Sequence, residues 1–177
     1  GVHGGALLNP LQALMQACAS LHDQEGRVTV PGFYDAVRPP EQWEREELAK
    51  LPITEEDYAK FLGVSKFFPP PGYSSLEGIR FCPTLEFNGV GGGYQGEGSK
   101  TVIPAEAFAK ITCRLVPDQR SEDIANKVRQ AIEEACPTAV RVEVQLKGGG
   151  DPYVVIPPGK PGSSGQESEL MKKAFSV

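Results

Sequence analysis

Residues 106–117, EAFAKITCRLVP, alternate without a break. Ala107, Ala109, Ile111, Cys113 and Leu115 fall on one side, and Phe108, Lys110, Thr112, Arg114 and Val116 on the other. Successive side chains of a strand point to opposite faces, so this period predicts a strand with one buried face and one wet face, ended by Pro117. The same alternation returns in AVRVEVQLKGGG, with Val140, Val142, Val144 and Leu146 inward. TLEFNGV, beginning at Thr84, reads as a further strand running into glycines. Half-buried strands of this kind belong to antiparallel sheets.

Helical periods flank these strands. Asn9 as N-cap and Pro10 at the first helical position open a helix expected to run to about Glu25. Leu11, Leu14, Met15, Cys18 and Leu21 share one face of it, and Gly26 stops it. Ser121 is the expected cap of a second helix lined by Ile124, Val128, Ala131, Ile132 and Ala135 and closed by Pro137. Helix, strand, strand, helix, strand gives an α+β two-layer sandwich with both helices on one face of an antiparallel sheet. A ferredoxin-like unit carries one more strand before the first helix, and the sequence offers none.

Between Arg27 and Cys82 the pattern is less regular and reads as an insertion. RVTVPGFYDAV suggests a short strand and a Pro-Gly turn. PPEQWEREELAKL and ITEEDYAKFLG read as short acidic helices, and FFPPPGYSSLEG as loop. Trp43, Tyr58, Phe61, Phe67 and Phe68 supply this excursion with apolar surface to bury. The expected organisation is therefore 1–26 first helix, 27–82 insertion, 83–150 sheet and second helix, and 151–177 linker.

The chain has 177 residues, 40% hydrophobic and 23% charged, enough for a packed core. A net charge of -5 gives no basic footprint for nucleic acid or an anionic membrane. No apolar run nears the roughly 18 residues of a spanning helix, and no leader pattern opens the chain, so a cytoplasmic protein is expected. Cys18, Cys82, Cys113 and Cys136 are scattered and read as free thiols. His3 and His22 have no metal-ligand spacing, so no metal site is expected in this chain. His22 reads as inert, and Asp151 has no partner implied by spacing.

The glycine run GVGGGYQGEGSKT invites a phosphate-loop reading and fails it. Ser99 separates Gly98 from Lys100, and a proline and a strand follow where a phosphate loop needs a helix N-terminus. The glycines are expected to allow positive φ and close backbone approach, between strands or to a bound group. Arg114, in mid-strand on the wet face, suits a bidentate grip on a carboxylate, or an ion pair with Glu86 or Glu143. Thr101 offers a hydroxyl to a substrate oxygen, or is an ordinary strand threonine.

GVHGGALLNPLQAL, GRVTVPGFYDAV, PTLEFNGVGGGYQGEGSKTVIPAEAFAKITCRLVPDQ and GGGDPY, in that order, resemble the dimerization (lid) domain of M20-family metallopeptidases, in their dipeptidase and carnosinase-like branch. The resemblance implies a homodimer paired through edge strand and helix, and a separate catalytic domain holding two metal ions, usually zinc, and a general-base glutamate. It implies that Arg114 grips the substrate's C-terminal carboxylate and that Thr101 touches the substrate near the scissile group. Gly96 and Gly98 would shape that pocket. The family's lid histidine sits in a His-Ser-Gly motif whose glycine matches Gly1, so His3 is not its counterpart. SGQESELMKKAFSV, from Ser164, resembles the helix returning to the catalytic domain. This stretch alone is expected to be inactive, its role being dimerization and lid closure over a peptide. The rival reading is a free-standing α+β ligand-binding or regulatory module that dimerizes.

Overall fold

The computed structural model describes residues 2–163 and Lys173. The return helix expected from Ser164 onward lies outside the described residues, Lys173 apart. Among the described residues the named elements follow in the order α1 (Pro10–Ala19), α2 (Gln42–Ala49), α3 (Glu55–Leu62), α4 (Ser75–Phe81), β1 (Thr84–Gly92), β2 (Ala107–Arg114) and α5 (Ser121–Ala135). The domain is α+β, with β1 and β2 antiparallel.

Helix α1 starts as its sequence dictates, with the Asn9 side chain accepting the Leu11 N–H at 2.9 Å. It stops well before Gly26. Asp23 Oδ1 accepts the N–H groups of Glu25 (2.9 Å) and Arg27 (2.8 Å), a local turn that competes with helix. Its buried positions are Ala13 and Ala17, while Met15, read as core, is 54% exposed. The small alanines let α1 lie close to β2 and α5, which it packs against. This turns Met15 outward.

The strands pair Thr84 with Arg114 at one end and Gly92 with Ala107 at the other, with a bulge at Asn88. β2 shows the predicted alternation residue by residue, its even-numbered side chains exposed. Ile111, Cys113 and Leu115 pack on a buried cluster of Leu21, Val28, Val30, Phe33, Leu85, Ile124 and Val128. That core draws Val28, Val30 and Phe33 from the stretch read as the start of the insertion. RVTVPGFYDAV makes one isolated bridge, Val28 with His22, instead of a strand. His22 also meets the Phe87 ring edge-on at 5.9 Å.

Three further expectations are corrected. Residues 140–147 carry the strand alternation but join no ladder, because no described strand lies beside them to supply partners. Val116 is buried rather than wet, because the strand ends at Arg114 and the chain turns inward through Gln119. Ser121 does not cap α5; Arg120 is the N-cap residue and makes no side-chain cap bond. The capping group is Asp151, whose Oδ1 accepts the Ser121 N–H at 2.8 Å and the Ser121 hydroxyl at 3.0 Å. It has the partners that spacing could not reveal.

SSLEG, read as loop, starts α4, where Ser74 and Glu77 form a reciprocal capping box. Thr54 and Asp57 do the same for α3, and Glu41 and Glu44 for α2. Polar ties lash these helices together. Glu55 accepts the Ser75 N–H and hydroxyl at 2.7 Å each, and Arg45 pairs with Glu77. Tyr58 stacks on Phe67, but Phe61 and Phe68, expected to be buried, are 83% and 72% exposed.

Candidate substrate-binding site

The sheet has two faces, and the helices occupy only one. On the other, β2 presents Phe108, Lys110, Thr112 and Arg114, all exposed. Strand geometry puts Arg114 there, because the inward positions on either side, Cys113 and Leu115, pack on the core. Neither Glu86 nor Glu143 pairs with it, and among the described residues its guanidinium has no ion-pair or hydrogen-bond partner. A guanidinium left free on an open sheet face keeps its planar fork available for two parallel bonds to a carboxylate.

The glycine run leaves the other end of the ladder. A Cβ on Gly91 would fall 2.5 Å from the Phe108 ring, and one on Gly92, at φ +140, would fall 2.9 Å from Ala107 Cβ. These two glycines therefore serve the close approach of β1 to β2. Beyond them the chain forms an exposed loop. The Tyr94 hydroxyl donates to Glu97 O at 3.0 Å, and Lys100 Nζ stands 5.7 Å from the Tyr94 ring centroid. Gly96 sits beneath that hydroxyl, where a Cβ would meet it at 2.5 Å. Gly98, at φ +79, faces open space. Thr101 is exposed in the irregular segment after the loop, not in a strand.

Gly96, Gly98 and Thr101 thus share one loop, while Arg114 stands in β2. The loop departs and returns at Gly92 and Ala107, and Arg114 lies at the far end of β2, roughly 20 Å along the strand at about 3.3 Å per residue.

Two polar groups to which the sequence assigned no role have one. Asp151 is drawn down to about 2 by the Ser121 N–H and then by the Arg120 side chain and Ser121 hydroxyl. Gln119, 2% exposed, accepts the Val116 N–H at 2.9 Å and donates to Phe33 O at 2.9 Å. It locks the turn that follows Arg114 onto the core. No spacing rule marks such a residue, because its partners are a neighbouring turn and a distant loop.

All four cysteines are free, and burial pushes the Cys113 thiol up to about 11. No group of three or more His, Cys, Asp or Glu converges among the described residues, so these residues do not fit a metal ion. No described helix is long and apolar enough to cross a membrane.

Residues 1–140 match the family profile of the peptidase dimerisation domain, M20_dimer. The chain is 31% identical over 133 residues to the Beta-Ala-His dipeptidase of Rattus norvegicus, covering 75% of this chain and 27% of that protein. It is 30% identical over 133 residues to the Cys-Gly metallodipeptidase of Schizosaccharomyces pombe, covering 75% of this chain and 28% of the relative. The crystal structure of an M20 family metallo-carboxypeptidase from Sulfolobus solfataricus superimposes with a TM-score of 0.67 at 33% identity, over 76% of this chain and 35% of that one. The chain thus spans little more than a quarter of the curated relatives it matches. With the profile covering most of its length and the fold shared, the chain belongs to the M20 peptidase dimerisation domain family.

Proposed function

We propose that the chain is the dimerisation and lid domain of a metal-dependent dipeptidase acting on dipeptides, or similar amides, that end in a free carboxylate. The observation that carries this reading is Arg114, a guanidinium without a partner among the described residues, on the sheet face that the helices leave open. A substrate carboxylate would take its two parallel N–H donors, and this contact selects substrates by their free C-terminus. The names of the relatives, which specify Beta-Ala-His and Cys-Gly, support the same substrate class.

Thr101, Gly96 and Gly98 are assigned to the substrate pocket on their place in the glycine loop and the KTVIP block. On this reading the two zinc ions are held by a separate catalytic domain, as the M20 resemblance implies. The partner is a second copy of the chain. The cytoplasm is the proposed compartment, supported by four unpaired thiols.

The test is Arg114→Ala in the intact protein. Loss of a charge-assisted contact should lower kcat/KM on free dipeptides roughly ten- to hundredfold. Dipeptides amidated at the C-terminus should be cleaved equally poorly by both proteins. A variant that handles free dipeptides as well as the parent would remove Arg114 from the site.

A further inference from the structure

Helices α2 to α4 make few contacts with the other helices and with the strands. α2 packs chiefly on α4, and neither has an extended contact with α1, α5 or the sheet. Residues 151–160 span the two parts and are anchored at each end.

At one end, Asp151 takes the Ser121 N–H and hydroxyl on Oδ1, and the Arg120 guanidinium donates to Oδ2 at 2.8 Å. At the other, a turn closed by the Lys160 N–H on Pro157 O (3.2 Å) brings Lys160 to α2. There its Nζ lies 3.3 Å from Glu47 Oε1 and 5.7 Å from the Trp43 ring centroid. Between the anchors, Pro152 to Val155 line a cavity of about 540 Å³ whose other walls include Trp43 and Leu48 of α2, Phe81 of α4 and Val116. The stretch therefore lies across the opening between α2, α4 and the core, with Pro152 half-buried, Tyr153, Val154 and Val155 exposed at the rim of that cavity, and a charged contact fastening each end.

We propose that residues 151–160 are a clasp that fastens α2 and α4 to the core through Asp151 and Lys160 together. A clasp differs from two separate surface contacts in one respect: releasing either end loosens the other. A plain helix cap at Asp151 would affect only the first turn of α5.

The experiment is hydrogen–deuterium exchange on the intact protein with Asp151→Asn and Lys160→Ala, read together with acrylamide quenching of Trp43, the single tryptophan of this chain; any tryptophan elsewhere in the intact protein is replaced by phenylalanine. Asp151→Asn should speed exchange of the α2 amides roughly fivefold and make Trp43 easier to quench, although Trp43 does not touch Asp151. Lys160→Ala should in turn speed exchange at the start of α5. If each variant changes only its own end, the contacts are independent and the clasp is overturned. Uniform acceleration that includes β1 and β2 would overturn it as well, since Asp151 would then serve the whole fold.

Discussion

Arg114 and Gln119 stand a few residues apart, and their surroundings make opposite demands on them. Arg114 is exposed and has no partner among the described residues, so their packing does not need its charge. Arg114→Ala should shift the urea midpoint by no more than about 0.5 kcal/mol of stability while impairing activity. Gln119 is the reverse. Gln119→Leu strands the Val116 N–H and the Phe33 carbonyl, both buried, and should cost roughly 2–4 kcal/mol. Gly92 is bound by geometry rather than hydrogen bonds: its φ of +140 and the nearness of Ala107 leave no room for a side chain. Gly92→Val should destabilise by about 2 kcal/mol or more, read from the same urea transitions. A sequence reader could name Arg114, because a charge on the wet side of a strict alternation is visible. Gln119 could not be named, since it looks like any polar residue of a turn until Phe33 is brought against it.

At the scale of elements, β2 shows how much a period can settle. Its alternation fixed both faces, because an exposed residue follows each inward one all the way to Arg114. Residues 140–147 have the same pattern and no ladder, because a strand needs a neighbour and a period does not say where one lies. The α4 start was written in Ser74 and Glu77, obscured by the prolines before it. The α5 cap was not legible at all, since Asp151 lies 30 residues from Ser121. That cap makes a prediction about pH. Asp151 has its carboxyl lowered from 3.8 to about 2 on folding. Its stabilising effect is therefore complete above the ordinary carboxylate value and is lost as pH falls through about 2. Amide exchange at the first turn of α5, corrected for its intrinsic pH dependence, should accelerate between pH 4 and pH 2 in the parent protein. Asp151→Asn should flatten that change.

For the whole molecule, the layered α+β plan followed from the sequence because two helices and a half-buried strand pair leave few other ways to cover one face. How residues 27–82 meet the core did not follow, since Val28, Val30 and Phe33 enter it from a stretch without a regular period and the helices after them are tied to one another by polar contacts. The chain belongs to a family of peptidase dimerisation domains, and the partner proposed for it is a second copy of itself. The most direct test is the mass in solution of the intact protein, by light scattering across a range of concentrations. A mass twice that of the monomer, approached as concentration rises, is the predicted result. A monomer mass throughout would contradict the account.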